Sequence, residues 1–253
     1  RMSSAPASNA PHPLAGIDTP CLVLDEDRML RNIARLKTRL ARLGVPLRPH
    51  LKTAKSIPAA RAVMDGPGGP AAVSTLQEAE AFAADGVTDI LYAVGIAPQK
   101  LDRVAALRRR GVDLSVVLDS VEQAAAVTAM ARMTGDRIPA LIEIDCDGHR
   151  AGLGTNDPLL VEIGRALHQG GAELRGVMAH AGESYSCRSV AALEQAAGQE
   201  RAAAVGCAEA LRAAGLPCPV VSVGSTPTAH FARRLEGVTE VRAGVFVMFD
   251  LVM

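Results

Sequence analysis

Three bases recur at every second position in Arg48-Pro49-His50-Leu51-Lys52, and an amine in such company is a candidate nucleophile. Pro49 removes a backbone donor and pushes Arg48 toward extended geometry, so Leu47 to Leu51 reads as a strand. Alternate residues of a strand share a face, which puts Arg48, His50 and Lys52 on one side. Ser56 to Met64 then reads as a helix, with Ser56 at its cap and Pro58 near its first turn. Lys52 therefore stands where a strand hands over to a helix. Like charges and partial desolvation lower an amine's pKa and ready it to attack a carbonyl. Three cations facing one interior also require an anion or a neutralising covalent bond. The same residue types fit a surface strand with solvated bases, and the types alone leave that reading open.

A second stretch, Ser222-Val223-Gly224-Ser225-Thr226-Pro227-Thr228, has the composition of an anion seat. Gly224 permits close backbone approach, Ser225 and Thr226 offer hydroxyls and amides, and Pro227 suits a first helical turn. An ordinary capped turn has the same appearance when taken alone. Glu143-Ile144-Asp145-Cys146-Asp147-Gly148-His149-Arg150 gathers carboxylates and a histidine, but with the spacing of neither an EF-hand loop nor HExxH. Its better use is Arg150 as a donor to a ligand oxygen or ring nitrogen. Ala179-His180-Ala181-Gly182-Glu183-Ser184-Tyr185 ends in one of only two tyrosines, set in a polar loop. His12, His168 and His230 have no such context and read as surface residues.

These stretches need elements to hold them. Strand-like segments alternate with helical ones along the whole chain, the pattern of a parallel α/β sheet. Strands are expected at Cys21–Leu24, Leu47–Leu51, Ala71–Ser74, Ile90–Ala93, Leu114–Leu118, Ala140–Ile144, Gly176–Ala179, Val220–Val223 and Glu240–Arg242. Helical spacing predicts helices at Asp27–Leu43, Leu76–Ala84, Gln99–Arg109, Val121–Met133, Leu159–His168, Val190–Ala214 and Thr228–Leu235. Setting Cys21–Leu24 aside leaves the eight strands of a closed (β/α)8 barrel, with Lys52 after the first and Gly224 after the seventh. In such barrels functional groups gather at the C-terminal strand ends, and phosphate binds after strands seven and eight. An open doubly wound sheet is the alternative, weakened by the absence of any GxGxxG or GxxxxGK[ST] after a strand.

Lys+Arg and Asp+Glu balance at 27 each, which removes the electrostatic reason to expect nucleic acid. Two Tyr, four Phe and no Trp leave no stacking platform for bases. Five cysteines (Cys21, Cys146, Cys187, Cys207, Cys218), odd in number and without CxxC spacing, read as reduced thiols of a cytoplasmic protein. No apolar run is long enough to span a bilayer. Residues 1–16 are expected to form a disordered arm without a signal peptide, and 17–244 the barrel. The apolar run 245–253 stops without a breaker and reads as the start of a connection to a further unit.

Taken together, Asp18-Thr19-Pro20-Cys21-Leu22-Val23-Leu24-Asp25, Arg48-Pro49-His50-Leu51-Lys52-Thr53, Asp147-Gly148-His149-Arg150-Ala151-Gly152, Val221–Thr228 and Glu240-Val241-Arg242-Ala243-Gly244 resemble the fold-type III pyridoxal-phosphate enzymes, the alanine racemase-like barrels. The resemblance covers almost everything from Asp18 onward and is nearest to the D-threonine aldolase and D-serine dehydratase group, aldolase first. It departs at Glu183, where a less acidic residue is expected. It implies a Schiff base between Lys52 and pyridoxal 5'-phosphate, a phosphate held by Gly224, Ser225 and Thr226, and cofactor contacts from His50, Arg150 and Tyr185. Lys55 is implied to be a bystander. It further implies a homodimer acting on D-3-hydroxy amino acids. A C-terminal β-rich domain, absent from this chain, would pair with the 21–24 strand and supply the ligands of a divalent metal such as manganese. Retro-aldol cleavage, elimination to a 2-keto acid, racemisation and non-enzymatic carriage of the cofactor all remain open to such a barrel.

Overall fold

The computed structural model describes residues 14–249. Eight strands run β1 Leu47–Pro49, β2 Ala71–Val73, β3 Asp89–Gly95, β4 Asp113–Leu118, β5 Pro139–Ile144, β6 Glu173–Ala179, β7 Val220–Val223 and β8 Glu240–Ala243. Eight helices alternate with them: α1 Glu26–Arg42, α2 Ile57–Val63, α3 Leu76–Ala84, α4 Leu101–Arg109, α5 Val121–Thr134, α6 Leu159–Gly170, α7 Val190–Ala213 and α8 Thr226–Phe231. All the strand pairs are parallel, in the order β1-β8-β7-β6-β5-β4-β3-β2. The ring closes where His50 bridges Ala72 and the Leu51 amide donates to the Ala72 carbonyl at 2.9 Å. That closure rules out the open doubly wound sheet.

Local sequence explains the helices. In α1 the Asp25 carboxylate caps the first turn by accepting from the Arg28 amide. Met29, Ile33, Leu36 and Leu40 then recur at helical spacing and are buried against the strands. Because α1 precedes β1, and β1 neighbours β8, it fills the place in the outer ring that a helix after β8 would take. The α7 helix presents Ala197, Ala203, Ala204 and Ala208 inward, small enough to let it lie close on the strands.

The outer faces of the strands and the inner faces of the helices form the main apolar core. Inside the barrel, Ala72, Leu91, Val117, Leu141 and Met178 make only a thin apolar layer. Below it, at the N-terminal strand ends, Arg48 donates to Glu240 Oε2 at 2.8 Å and Asp89 Oδ1 at 2.7 Å. Arg175 donates to Asp113 and Ser115 there, each at 2.8 Å. The expected crowding of Lys52 by Arg48 is therefore not found, since Arg48 is neutralised at the opposite end of the barrel.

The structure departs from the sequence reading at both flanks. Residues 21–24 form no strand within the barrel, and Leu22 and Val23 stand exposed; pairing with a further domain is outside what this structure contains. Residues 1–13 of the expected arm lie outside the described residues, as do 250–253. Val245–Val247 is a 3-10 turn, and the buried Phe246 and Val247 pack into the core, so the first residues of this stretch are part of the barrel's packing. The last helix starts at Thr226 and ends at Phe231, earlier at both ends than its apolar pattern implied. The ion pairs beneath the apolar layer give a direct test. Arg48→Ala leaves the buried Glu240 carboxylate without its guanidinium and is expected to destabilise the fold by about 3–5 kcal/mol in a denaturant titration.

Candidate active site

At the C-terminal strand ends a cavity of about 250 Å³ is lined by His50, Lys52, Arg150, His180, Tyr185, Gly224, Ser225, Thr226, Arg242 and the Ala243–Val245 backbone region. Every candidate residue named from the sequence is on this wall, whereas Lys55 is not. The wall carries two guanidinium groups, Arg150 and Arg242, beside the Lys52 amine, and no carboxylate. Two larger cavities, about 820 and 400 Å³, lie outside the barrel around α1 and α8 and contain no lysine.

Lys52 sits just past β1, in a turn closed by the Lys55 amide donating to the Leu51 carbonyl at 3.0 Å. Lys55 takes a left-handed φ of 47° to complete that turn, and its amine pairs with the buried Glu78 at 3.4 Å. It thus braces the turn that carries Lys52. Loss of hydration on the cavity side leads in lowering the Lys52 pKa; Arg150 and Arg242 add to it and Glu78 opposes it. The cations acting on the amine are therefore those of the fifth and eighth strand ends. Arg48 contributes nothing to this crowding.

Arg150 reaches the cavity because its loop is pinned. Asp145 accepts from the Gly148 amide, Asp119 from Gly152 and Asp147 from Glu183, at 2.8 to 2.9 Å. The acids that looked like weak metal ligands thus fix backbone. A Cβ at Gly182 would come within 2.7 Å of the Arg150 side chain, so this glycine lets Arg150 lie across the next loop. Tyr185 sits in the 3-10 turn Gly182–Ser186, and its oxygen accepts from the Thr226 amide at 3.4 Å.

The Gly224 turn works differently from its sequence reading. Its φ of 139° and the 2.0 Å that a Cβ would leave to the Arg242 carbonyl show that glycine is needed for β8 to pass, before any ligand is considered. The Gly224 amide donates to Glu200 and the Ser225 amide to Thr228 Oγ1. The Ser225 hydroxyl joins Ser184 and Thr228. What the turn presents to an anion is mainly the Thr226 amide beside the Tyr185 hydroxyl. With only six residues in α8, helix dipole adds little, and the neighbouring cations carry the electrostatics.

Sequence reasoning missed His180 and Arg242 as wall residues and Glu200 beneath them. Two signals were present, since His180 continues the inward alternation of β6 and Arg242 lies two residues after the inward Glu240. Arg242 is buried and donates to Ser222 Oγ at 2.6 Å and the Ala179 carbonyl at 2.7 Å, while Ser222 donates to Glu240 at 2.6 Å. His180 Nδ1 donates to the Gly224 carbonyl at 2.6 Å. Burial and nearby cations push both His50 and His180 down to about 3, so both are neutral imidazoles. Burial and the nearby Asp119 raise Glu143, on the inward face of β5, to about 7.

Comparison with known proteins agrees with this geometry. The family described as Alanine racemase, N-terminal domain, matches residues 24–251, and the chain belongs to it. It is a fold-type III barrel. D-threo-3-hydroxyaspartate dehydratase of Delftia sp. (strain HT23) is 58% identical over 95% of this chain and 63% of its own length. Its solved structure superposes with a TM-score of 0.91, covering 94% of this chain and 63% of that one. The 3-hydroxy-D-aspartate aldolase of Paracoccus denitrificans (strain Pd 1222) is 32% identical over 92% of this chain and 61% of its own. A D-threonine aldolase structure from Filomicrobium marinum, 26% identical, gives a TM-score of 0.84 over 93% of this chain and 64% of that one. The chain thus spans a little over three-fifths of these relatives.

The wall suits pyridoxal 5'-phosphate on its own chemistry: an easily deprotonated amine for an aldehyde, cations without a competing carboxylate for a phosphate, and neutral imidazoles between. It offers a metal nothing comparable, since the described residues contain no group of three or more His, Cys, Asp or Glu able to hold one.

The buried imidazoles make stability depend on pH. Between the ordinary histidine value of 6.5 and about 3, the unfolded chain binds protons that folded His50 and His180 refuse. Stability conferred by neutral histidine is therefore present above pH 6.5 and lost as pH falls toward 3. His230, lowered to about 4, acts in the same sense, and the raised Glu143 acts against it. Denaturant midpoints measured from pH 7.5 down to pH 5 should fall, and His180→Gln should flatten that fall.

Proposed function

We propose that this barrel is the cofactor domain of a pyridoxal-phosphate-dependent lyase that eliminates water from a D-3-hydroxy amino acid to give a 2-keto acid and ammonia. The observation that carries the reading is Lys52, an amine of lowered pKa on the wall of a cationic, carboxylate-free cavity at the mouth of a family-typical barrel. Similarity to the Delftia dehydratase supports elimination as the reaction and a 3-hydroxyaspartate-like substrate.

Pyridoxal phosphate, when bound, supplies an aldehyde for an amine to capture and a ring that accepts the electron pair left at the substrate α-carbon. Lys52 would hold the cofactor between turnovers and, once released by substrate, move the α-proton through its free amine. Arg150 would face the ring and Arg242 would add fixed positive charge from beneath, held rigid by Ser222 and Ala179. Tyr185 and Thr226 would seat the phosphate, and neutral His50 would fill the floor between Lys52 and Ser74 without adding charge.

Retro-aldol cleavage to glycine and an aldehyde is the second reading, favoured by the motif resemblance and by the Paracoccus aldolase. One solved mutant form of the Delftia dehydratase is described as metal-free, which supports a divalent metal in the full-length enzyme. The described residues contain no group of three or more His, Cys, Asp or Glu that could hold such a metal. A homodimer in a reducing cytoplasm is part of the proposal, supported by the family resemblance and by five unpaired cysteines. Among the described residues no helix is long and apolar enough to cross a membrane.

Full-length protein supplied with cofactor, a divalent metal and D-threo-3-hydroxyaspartate should release oxaloacetate and ammonia. Glyoxylate and glycine instead would establish the retro-aldol reading, and neither product would sink both. Lys52→Ala should lower kcat by roughly 10²–10⁴-fold or more with the fold intact.

A further inference from the structure

We infer that Glu200 is a positioning residue that holds the phosphate seat in register with the loop carrying Tyr185, through one buried carboxylate that clips both turns. It lies on α7, only 2% exposed, on a helix face otherwise made of alanine, cysteine and leucine. Its Oε1 accepts from the Ala181 amide at 2.8 Å, in the loop after β6, and from the Gly224 amide at 3.0 Å, in the turn after β7. Its Oε2 accepts from Thr228 Oγ1 at 2.7 Å, on α8. The three donors come from two segments of chain, the loop after β6 and the turn that runs from β7 into α8. Among the described residues no other carboxylate accepts from both loops.

The consequence for the seat is geometric. Both peptide units that meet at Gly224 are held, the N–H of one by Glu200 and the carbonyl of the other by His180 Nδ1 at 2.6 Å. Fixing them sets the direction in which Ser225 and Thr226 leave the strand. Thr228 passes the constraint on, since its hydroxyl both donates to Glu200 and accepts from the Ser225 amide at 3.1 Å. Ser225 Oγ then meets Ser184 Oγ at 2.7 Å, beside Tyr185. Removing the carboxylate would leave two buried amides without their acceptor and turn the Thr228 hydroxyl back onto Ser225, a cost that the loops relieve by moving apart. Glu200 does not line the cavity, so its effect reaches a ligand only through the turns.

This inference rests on the reading of the Gly224–Thr226 turn as the phosphate seat, and the test separates the two. The full natural chain, stripped of cofactor, is titrated with pyridoxal 5'-phosphate and with pyridoxal, following the absorbance of the lysine adduct. Wild-type protein should bind the phosphate form the more tightly. Glu200→Ala should weaken pyridoxal 5'-phosphate by roughly tenfold or more while leaving pyridoxal within about twofold. Glu200→Gln should restore most of the preference, because its amide oxygen still accepts from both backbone N–H groups. Should the alanine variant fail to fold, Glu200→Asp, one methylene too short to span the loops, carries the same expectation. An equal loss for both ligands, or none for either, would overturn the inference while leaving the seat standing. Equal affinities in the wild type would overturn the seat, and the inference with it.

Discussion

Charge inside this barrel is sorted by depth, and the site depends on that sorting. Arginines at the N-terminal strand ends are matched with acids: Arg48 with Glu240 and Asp89, Arg175 with Asp113 and Glu173. At the other end, beyond a thin layer of Ala72, Leu91, Val117, Leu141 and Met178, the cavity wall has Lys52, Arg150 and Arg242 and no acid. Cations gathered on a wall that itself carries no acid, in a partly desolvated place, repel one another and favour both an arriving anion and a neutral lysine. An aldehyde carrying a phosphate answers both demands at once. A strand of polar contact between the two ends runs Arg48–Glu240–Ser222–Arg242, so the guanidinium under the cavity is anchored by the same acid that neutralises the base of the barrel.

The rest of the fold serves to keep that wall rigid. Loops at the C-terminal strand ends are fixed by side-chain carboxylates bound to backbone amides: Asp145 and Asp119 around Arg150, Glu200 between the sixth and seventh loops, Glu78 beneath the turn of Lys52. Carboxylates spent on amides do not compete for the cations, which explains how the surroundings can be acidic while the wall is not. Where the chain must pass through tight spaces it uses glycine: Gly224 against β8 and Gly182 against Arg150.

The barrel was legible because its signals are local and repeated. Alternation of apolar strands with helical spacing located the eight strands, and the Lys52 and Gly224 stretches fell at strand ends that the closed ring brings to one mouth. What the chain could not show was partnership at long range. Arg48 looked like a neighbour of Lys52 because period two puts them on one face; only the ring reveals that Glu240 and Asp89 claim it at the far end. Ser225 looked like a phosphate ligand because its hydroxyl is a donor, yet Ser184 and Thr228 occupy it. Glu200 was invisible within an alanine-rich helix, since nothing in its local sequence indicates three buried donors from other segments. Residues 21–24 have the composition of a strand, and the partner expected for them is not part of this structure.

The central claim is that the amine of Lys52, and no other, meets an aldehyde at this mouth. Loading the protein with pyridoxal 5'-phosphate, reducing it with borohydride and mapping the modified peptide by mass spectrometry tests it most directly. The account requires a single pyridoxyl group on Lys52; a label on Lys55 or Lys100, or no stable label at all, would contradict it.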